Sequence, residues 1–277
     1  MATNTAPQIQ YRQEFIKLAE QRVALMRQTV TTEAVYKGNQ AYFLVAGSGH
    51  ATAVTRGVNG LIPSNPDSLT QVAATLVEWH DLRKATSFNI FESQGDRRRI
   101  MQEASVGVLN RKIDADIFSA LATATVSPWS AAGQKASLAM VLHAKSLIVN
   151  AEFPMDGGIS CVISPAFEAY ISQTPEFTNA NYVNDKPLTQ DLQMFRWKGI
   201  NFIVHPNISG KATNAELCYM WHRDAVAHAI NVGDIMTAIG YHEEQDYSFA
   251  RTTAYMGSAV LQNSGIVCLK HDGSAYA

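Results

Sequence analysis

The stretch GDRRRIMQEASVGVLNRKIDADIFSAL, from Gly95 to Leu121, contains no proline and one internal glycine. Proline removes a backbone donor and clashes with the preceding turn, so a run without it can continue as a single helix. At 1.5 Å rise per residue that helix would reach roughly 40 Å, more than a core helix of one modest domain requires. Asp96 or Ser93 offers a side-chain cap at its start. Ile100, Ala104, Val108 and Ala115 form one apolar stripe, and Val106, Leu109, Ile113, Ile117 and Leu121 form a second, offset one. Two stripes on one rod predict contact with more than one layer. Arg97, Arg98 and Arg99 sit where the helix dipole disfavours cations, and read either as a solvated basic turn or as a patch that meets acidic partners.

The segments around this rod are extended. Residues 1 to 8 read as a tail. Gln10 to Thr29 carries Phe15, Leu18, Arg22, Leu25 and Met26 at three- and four-residue spacing, which predicts an amphipathic helix. It is either an arm that docks on another surface or a helix folded back on its own domain. Ala41 to Ala46, including Tyr42 and Phe43, and Thr75 to His80 are β-rich runs. The 28 residues between them hold the breaker-rich GLIPSNPDS, which predicts a long two-stranded hairpin with an irregular tip. A lone hairpin is marginal in water, so this one is expected to need a partner surface.

Beyond a break at Ser127–Gln134 the chain predicts a helix over Lys135–Ala151, a buried strand at Ile159–Ser164 and a short helix opened by Pro165. A loop over Thr174–Gln190 and a strand pair turning at Lys198 and Gly199 follow. Glu216–His222 is a further strand, Arg223–Asn231 is strand or short helix, and strand-like alternation runs from Ile235 to the C-terminus. Helices and strands are segregated, an α+β pattern.

Composition narrows the function. Of 277 residues 47% are hydrophobic and only 17% charged, and the net charge is −2, so there is no basic field for gripping nucleic acid. Cys161, Cys218 and Cys268 are scattered and odd in number, which fits a reducing compartment and argues against a disulfide framework or zinc site. The polar N-terminus is no secretory signal, and no apolar run is long enough to cross a bilayer.

A search for chemistry finds no catalytic residue, no metal site and no cofactor motif. VAGSGHAT, with Gly47 and Gly49, lacks the third glycine and the lysine of a phosphate-binding turn, although a nucleotide-binding enzyme built on it is kept as the least favoured alternative. YHEEQDY (Tyr241–Tyr247) gathers His242, Glu243, Glu244 and Asp246 without a histidine pair at ligand spacing, and reads as an acidic turn or a contact between subunits. Glu78 and Asp81 flank His80, and His222 lies near Asp224, but sequence adjacency makes no dyad. None of the three cysteines has a nearby histidine that hints at a nucleophile.

An arm, a hairpin and a rod that one domain cannot fully bury point to identical neighbours covering them. In this order they resemble the Hong Kong 97-type fold of tailed-bacteriophage major capsid proteins. The residues carrying the likeness are Ala51–Pro63, Leu76–Glu103, Phe195–Asn207, DAVAHAI, and YSFARTTAYMGSAVLQNSGIV. The resemblance implies an N-terminal arm at 1–35 and an extended loop at 36–88. It further implies a peripheral domain at 89–130 and 237–277, with the long helix as its spine, and an axial domain at 131–236. It implies a structural protein of the virion, assembled in the host cytoplasm into pentamers and hexamers of an icosahedral shell. The shell would enclose double-stranded DNA without sequence-specific contacts, working with a separate scaffolding protein, a portal and a decoration protein. An encapsulin-like compartment shell is the main alternative. Expected contacts between subunits involve Phe15, Leu18, Leu25, Tyr42 and Phe43, and the charged groups Arg97, Arg98 and Arg99 with Glu78, Asp81, Glu243 and Glu244.

Overall fold

The computed structural model describes residues 21–47, 52–65, 68–92, 97–125, 133–175 and 193–276. The long helix is α2, Arg97–Thr123, and Leu109, Ile113, Ile117 and Leu121 of its second stripe are buried. The first stripe is less covered: Ile100, Ala104 and Val108 are half-buried and Ala115 is exposed.

The expected N-terminal helix is corrected where it can be seen. Residues 10–20 lie outside the described residues, and 21–29 contain no α-helix, only a 3-10 turn at Arg27–Thr29. The reason is a buried carboxylate. Asp114 of α2, 1% exposed, accepts the backbone N–H groups of Leu25 and Met26 at 3.0–3.1 Å, with His205 Nε2 3.4 Å away. Those two N–H groups are thereby fixed by a partner distant in sequence, and Met26 and Val30 are buried beside them. A buried charge is tolerated only when paired and hydrogen-bonded, as this one is.

The described residues fall into two compact units. One gathers those within 25–77, 113–232 and 255–277. Its largest sheet has five strands in the order β12-β8-β5-β7-β6. β5 (Ile159–Ile163) is buried at every position and lies parallel to β7 (Ile200–Val204), the two being linked through α4 (Pro165–Ser172). Pro165 occupies the first turn of α4, as the sequence predicts, and Ser164 caps it. β6 (Met194–Trp197) turns into β7 at Lys198 and Gly199, both with positive φ, the conformation that a two-residue hairpin turn demands.

β8 (Glu216–His222) is flanked by β12 (Ile266–His271), and α3 (Leu138–Asn150) packs on both. The expected grouping of 237–277 as one piece is therefore divided: 233–254 share a unit with residues 97–112 of the long helix, and 255–277 fall in the other. Ile266, Val267, Leu269 and His271 are all buried, and pairing with β8 is what covers them. Arg223–Ala225 forms a 3-10 turn before β9 (Val226–Asn231), so the ambiguous segment contains both. β9 lies parallel to β1 (Thr31–Val35) and antiparallel to residues 256–260 of β11 (Tyr247–Val260).

β2 (Gln40–Gly47) pairs antiparallel with β3 (Ser68–Thr75) over eight rungs, from Gln40↔Thr75 to Gly47↔Ser68. The second strand of the hairpin is therefore 68–75 and not Thr75–His80. The chain breaks at Leu76, whose N–H bonds back to Asn39 O at 2.8 Å, and β4 (Val77–Thr86) pairs with β11 instead. The expected loop at 36–88 thus ends at its base near residue 76.

The other unit contains the described residues within 1–24, 78–112 and 233–254. β10 (Met236–His242) and the first part of β11 form an antiparallel pair joined by a turn at 243–246. Ala85, Met101 and Ala250 form its small apolar centre, and α1 (Ser87–Glu92) follows β4.

One glycine is fixed by a close approach of the ribbon base. A Cβ on Gly257 would lie 2.0 Å from Thr75 O. Gly257→Ala is expected to lower the stability of the unassembled subunit by about 1–3 kcal/mol, the usual cost of forcing atoms into a packed site. Thermal denaturation monitored by circular dichroism measures it, and an unchanged midpoint would count against the close approach.

Candidate assembly surface

Residues opposite each other in an antiparallel pair share a face. Tyr42↔Ala73, Leu44↔Gln71 and Ala46↔Leu69 therefore lie together, and all six residues are exposed. Ala41, Phe43 and Ala74 occupy the other face and are buried against Ala227 and Ala229 of β9. The ribbon is apolar on both sides, and its own chain covers one. The irregular part of the loop is exposed as well. Val54, Val58, Leu61 and Ile62 are exposed around a turn held by Gly60 N to Gly57 O and Gly57 N to Leu61 O, and Asn65 Nδ2 reaches across to Thr52 O. An apolar patch of this extent on an exposed protrusion marks an interaction site.

Several expected contact residues are placed by the structure. Tyr42 is exposed. Phe43 is corrected: at 8% exposure it belongs to the core of its own subunit, because strand alternation turns it to the face opposite Tyr42. Leu25 is half-buried beside the Asp114 anchor. Glu78 binds His80 at 2.9 Å, Asp81 binds Arg83 at 3.0 Å, and Arg99 pairs with Glu103 one helical turn on. Glu243 and Glu244 are exposed in the β10–β11 turn. Phe15 and Leu18, and the side chains of Arg97 and Arg98, lie outside the described residues. The sequence reading missed Leu44, Leu69 and the apolar tip residues. The available signal was the unbroken apolar run AYFLVA, which does not alternate as a half-covered strand should.

The buried polar groups form structural networks. His271, remote in sequence from every cysteine but Cys268, comes within 3.8 Å of Cys218 Sγ through Nδ1, which corrects the expectation that no histidine approaches a thiol. Cys218 is fully buried and burial holds its thiol well above the ordinary range, so it is no nucleophile. Ser164 Oγ and Glu216 Oε2 both approach His271 Nε2, at 3.1 and 3.0 Å, whereas a proton relay needs them on opposite nitrogens. Ser164 is in addition the cap that accepts Phe167 N–H.

His222 is held between Asp156 (3.3 Å) and Asp224 (3.6 Å) at an open polar cavity of about 330 Å³ that Gln28, Asn201 and Arg223 also line. The Gly158 N–H and then His222 hold the Asp156 carboxyl below its usual range. Among the described residues no group of three side chains is arranged to hold a metal ion, and no helix is long and apolar enough to cross a membrane. Gly47 ends β2, and Ser48–Ala51 lie outside the described residues.

A family model described as phage capsid protein matches residues 3–273. No curated protein matches by sequence. Solved structures similar to this chain include one of Mycobacterium phage Che8, 13% identical, with a TM-score of 0.75 over 97% of this chain and 98% of that one. The head structure of Helicobacter pylori bacteriophage KHP40 is 9% identical, with a TM-score of 0.75 over 98% and 96%. The capsid structure of the cyanophage P-SCSP1u is 12% identical, with a TM-score of 0.73 over 95% and 93%. At these identities the likeness is one of fold.

Two outcomes are expected of the unassembled subunit. Phe43→Ala should cost about 3–5 kcal/mol in chemical denaturation, while Tyr42→Ala should change it by less than about 0.5 kcal/mol. Equal effects would contradict the assignment of the two faces. The second concerns acid. Burial, opposed by Glu216 and Asp272, holds the His271 imidazole below the ordinary histidine range. The unfolded chain then binds the proton more readily, so this histidine costs stability as pH falls through and below about 6.5. A titration of the melting midpoint should show that slope and show it reduced in His271→Asn.

Proposed function

The chain belongs to the phage capsid protein family and is a major capsid protein forming the shell of a phage head; on that premise we propose that its exposed ribbon is the element that ties subunits together. The observation carrying this reading is the uncovered, largely apolar face of Tyr42, Leu44, Ala46, Leu69 and Ala73, together with the exposed apolar residues Val54, Val58, Leu61 and Ile62 of the same loop. Such a face gains most by lying on a neighbouring copy. Contacts of this kind join unlike patches and close into rings, here pentamers and hexamers.

In this reading residues 1–35 form the arm, 36–76 the reaching loop, and 131–236 with β12 the axial domain. The remaining peripheral part is built around α2. The shell encloses double-stranded DNA, and the near-neutral balance of the chain suits a wall that must let DNA pass in and out. A scaffolding protein, a portal and a decoration protein complete the head, which is assembled in the host cytoplasm. The role is mechanical and involves no catalysis.

Leu44→Glu with Leu69→Glu should leave the subunit folded while reducing shell yield at least roughly tenfold, since each contact would then bury unpaired carboxylates. Sedimentation and negative-stain microscopy of the expressed chain, with and without a candidate scaffold, read the outcome. Normal shells from the double variant would refute the role of this face.

A further inference from the structure

Arg56 is the only Lys or Arg from Gly38 to Leu82. It is exposed in the irregular tip between Val54 and Val58, with no ion-pair partner among the described residues. If the tip is covered by a neighbour, this guanidinium is covered with it. An unpaired charge taken out of water is costly, so the receiving surface must present a carboxylate.

The described carboxylates narrow the choice. Asp156 and Asp224 serve His222, and Glu78, Asp81 and Glu103 serve cations of their own strands or helix. The others, apart from three, are likewise engaged by hydrogen bonds, ion pairs or other contacts. The three with no donor or cation among the described residues are Glu33, Glu243 and Glu244. Glu33 is a single charge in β1. Glu243 and Glu244 are adjacent and exposed, in a turn whose third carboxylate, Asp246, is already taken up by Ser87 and Tyr241. Two neighbouring like charges without a counter-ion among the described residues are complementary to a planar guanidinium, whose N–H groups donate to two carboxylate oxygens at once.

We infer that Arg56 at the loop tip of one copy docks on the Glu243–Glu244 turn of a second copy. This rests on the shell reading above and adds the point of contact. Arg56→Glu and the paired Glu243→Arg, Glu244→Arg variant should each fold but lower shell yield roughly tenfold, and the combination of all three should restore it. In shells of Arg56→Cys, Glu244→Cys protein, mild oxidation should give covalent ladders that neither single variant gives. Normal yield from Arg56→Glu, failure of the triple variant to recover, or absence of ladders would overturn the contact. Rescue of the glutamate variant by Arg98→Glu in place of Arg56→Glu would also overturn it, by assigning the turn to the start of α2. If the unmodified chain forms no shells with or without scaffold, the shell reading falls instead, so the two failures are told apart.

Discussion

A two-stranded ribbon has two faces and one set of backbone bonds, and this ribbon is apolar on both faces. Phe43, Ala41 and Ala74 find cover on β9 of the same subunit. Tyr42, Leu44 and Leu69 do not. Eight rungs of pairing fix the register, and a slip of one residue would exchange the two sets. The anchored face therefore also determines which side chains remain open. A chain built this way completes its apolar burial through association, and the proposed contacts follow from that incompleteness.

The same logic of anchoring recurs in polar form. Asp114 spends both carboxylate oxygens on backbone N–H groups of Leu25 and Met26, with His205 beside it. Glu216 accepts the Ala212 N–H and meets His271, while a Cβ on Gly273 would come 2.2 Å from that carboxylate. Each buried charge pins a segment that lacks regular structure of its own: the start of the described chain in one case, the C-terminal residues in the other. Partnered and enclosed, both carboxylates act as fasteners.

Much of the fold was legible because local rules governed it. The 27-residue helix, the Ser164–Pro165 start of α4 and the Lys198–Gly199 turn all depend on residues close in sequence. The failures share a cause as well. Gln21–Thr29 has helical periodicity, but a carboxylate 88 residues away holds its backbone. TLVEWH reads as one strand, yet Leu76 closes one hairpin and Val77 begins pairing with a different strand. His271 meets Cys218 and Ser164 only through strand pairing and a helix cap. Of the contact residues, Tyr42 and Phe43 were identifiable as apolar strand positions, but not which of them faced outward.

The sequence by itself determined the mostly helical or extended character of each segment, the low charge, the lack of an active-site motif and the solitary cation at Arg56. These depend on composition and short-range spacing. Tertiary structure alone decided which apolar face is left open, which described carboxylates have no partner among the described residues, and that β12 pairs with β8. Those outcomes depend on which distant residues compete for the same surface, and no local pattern records the result of that competition.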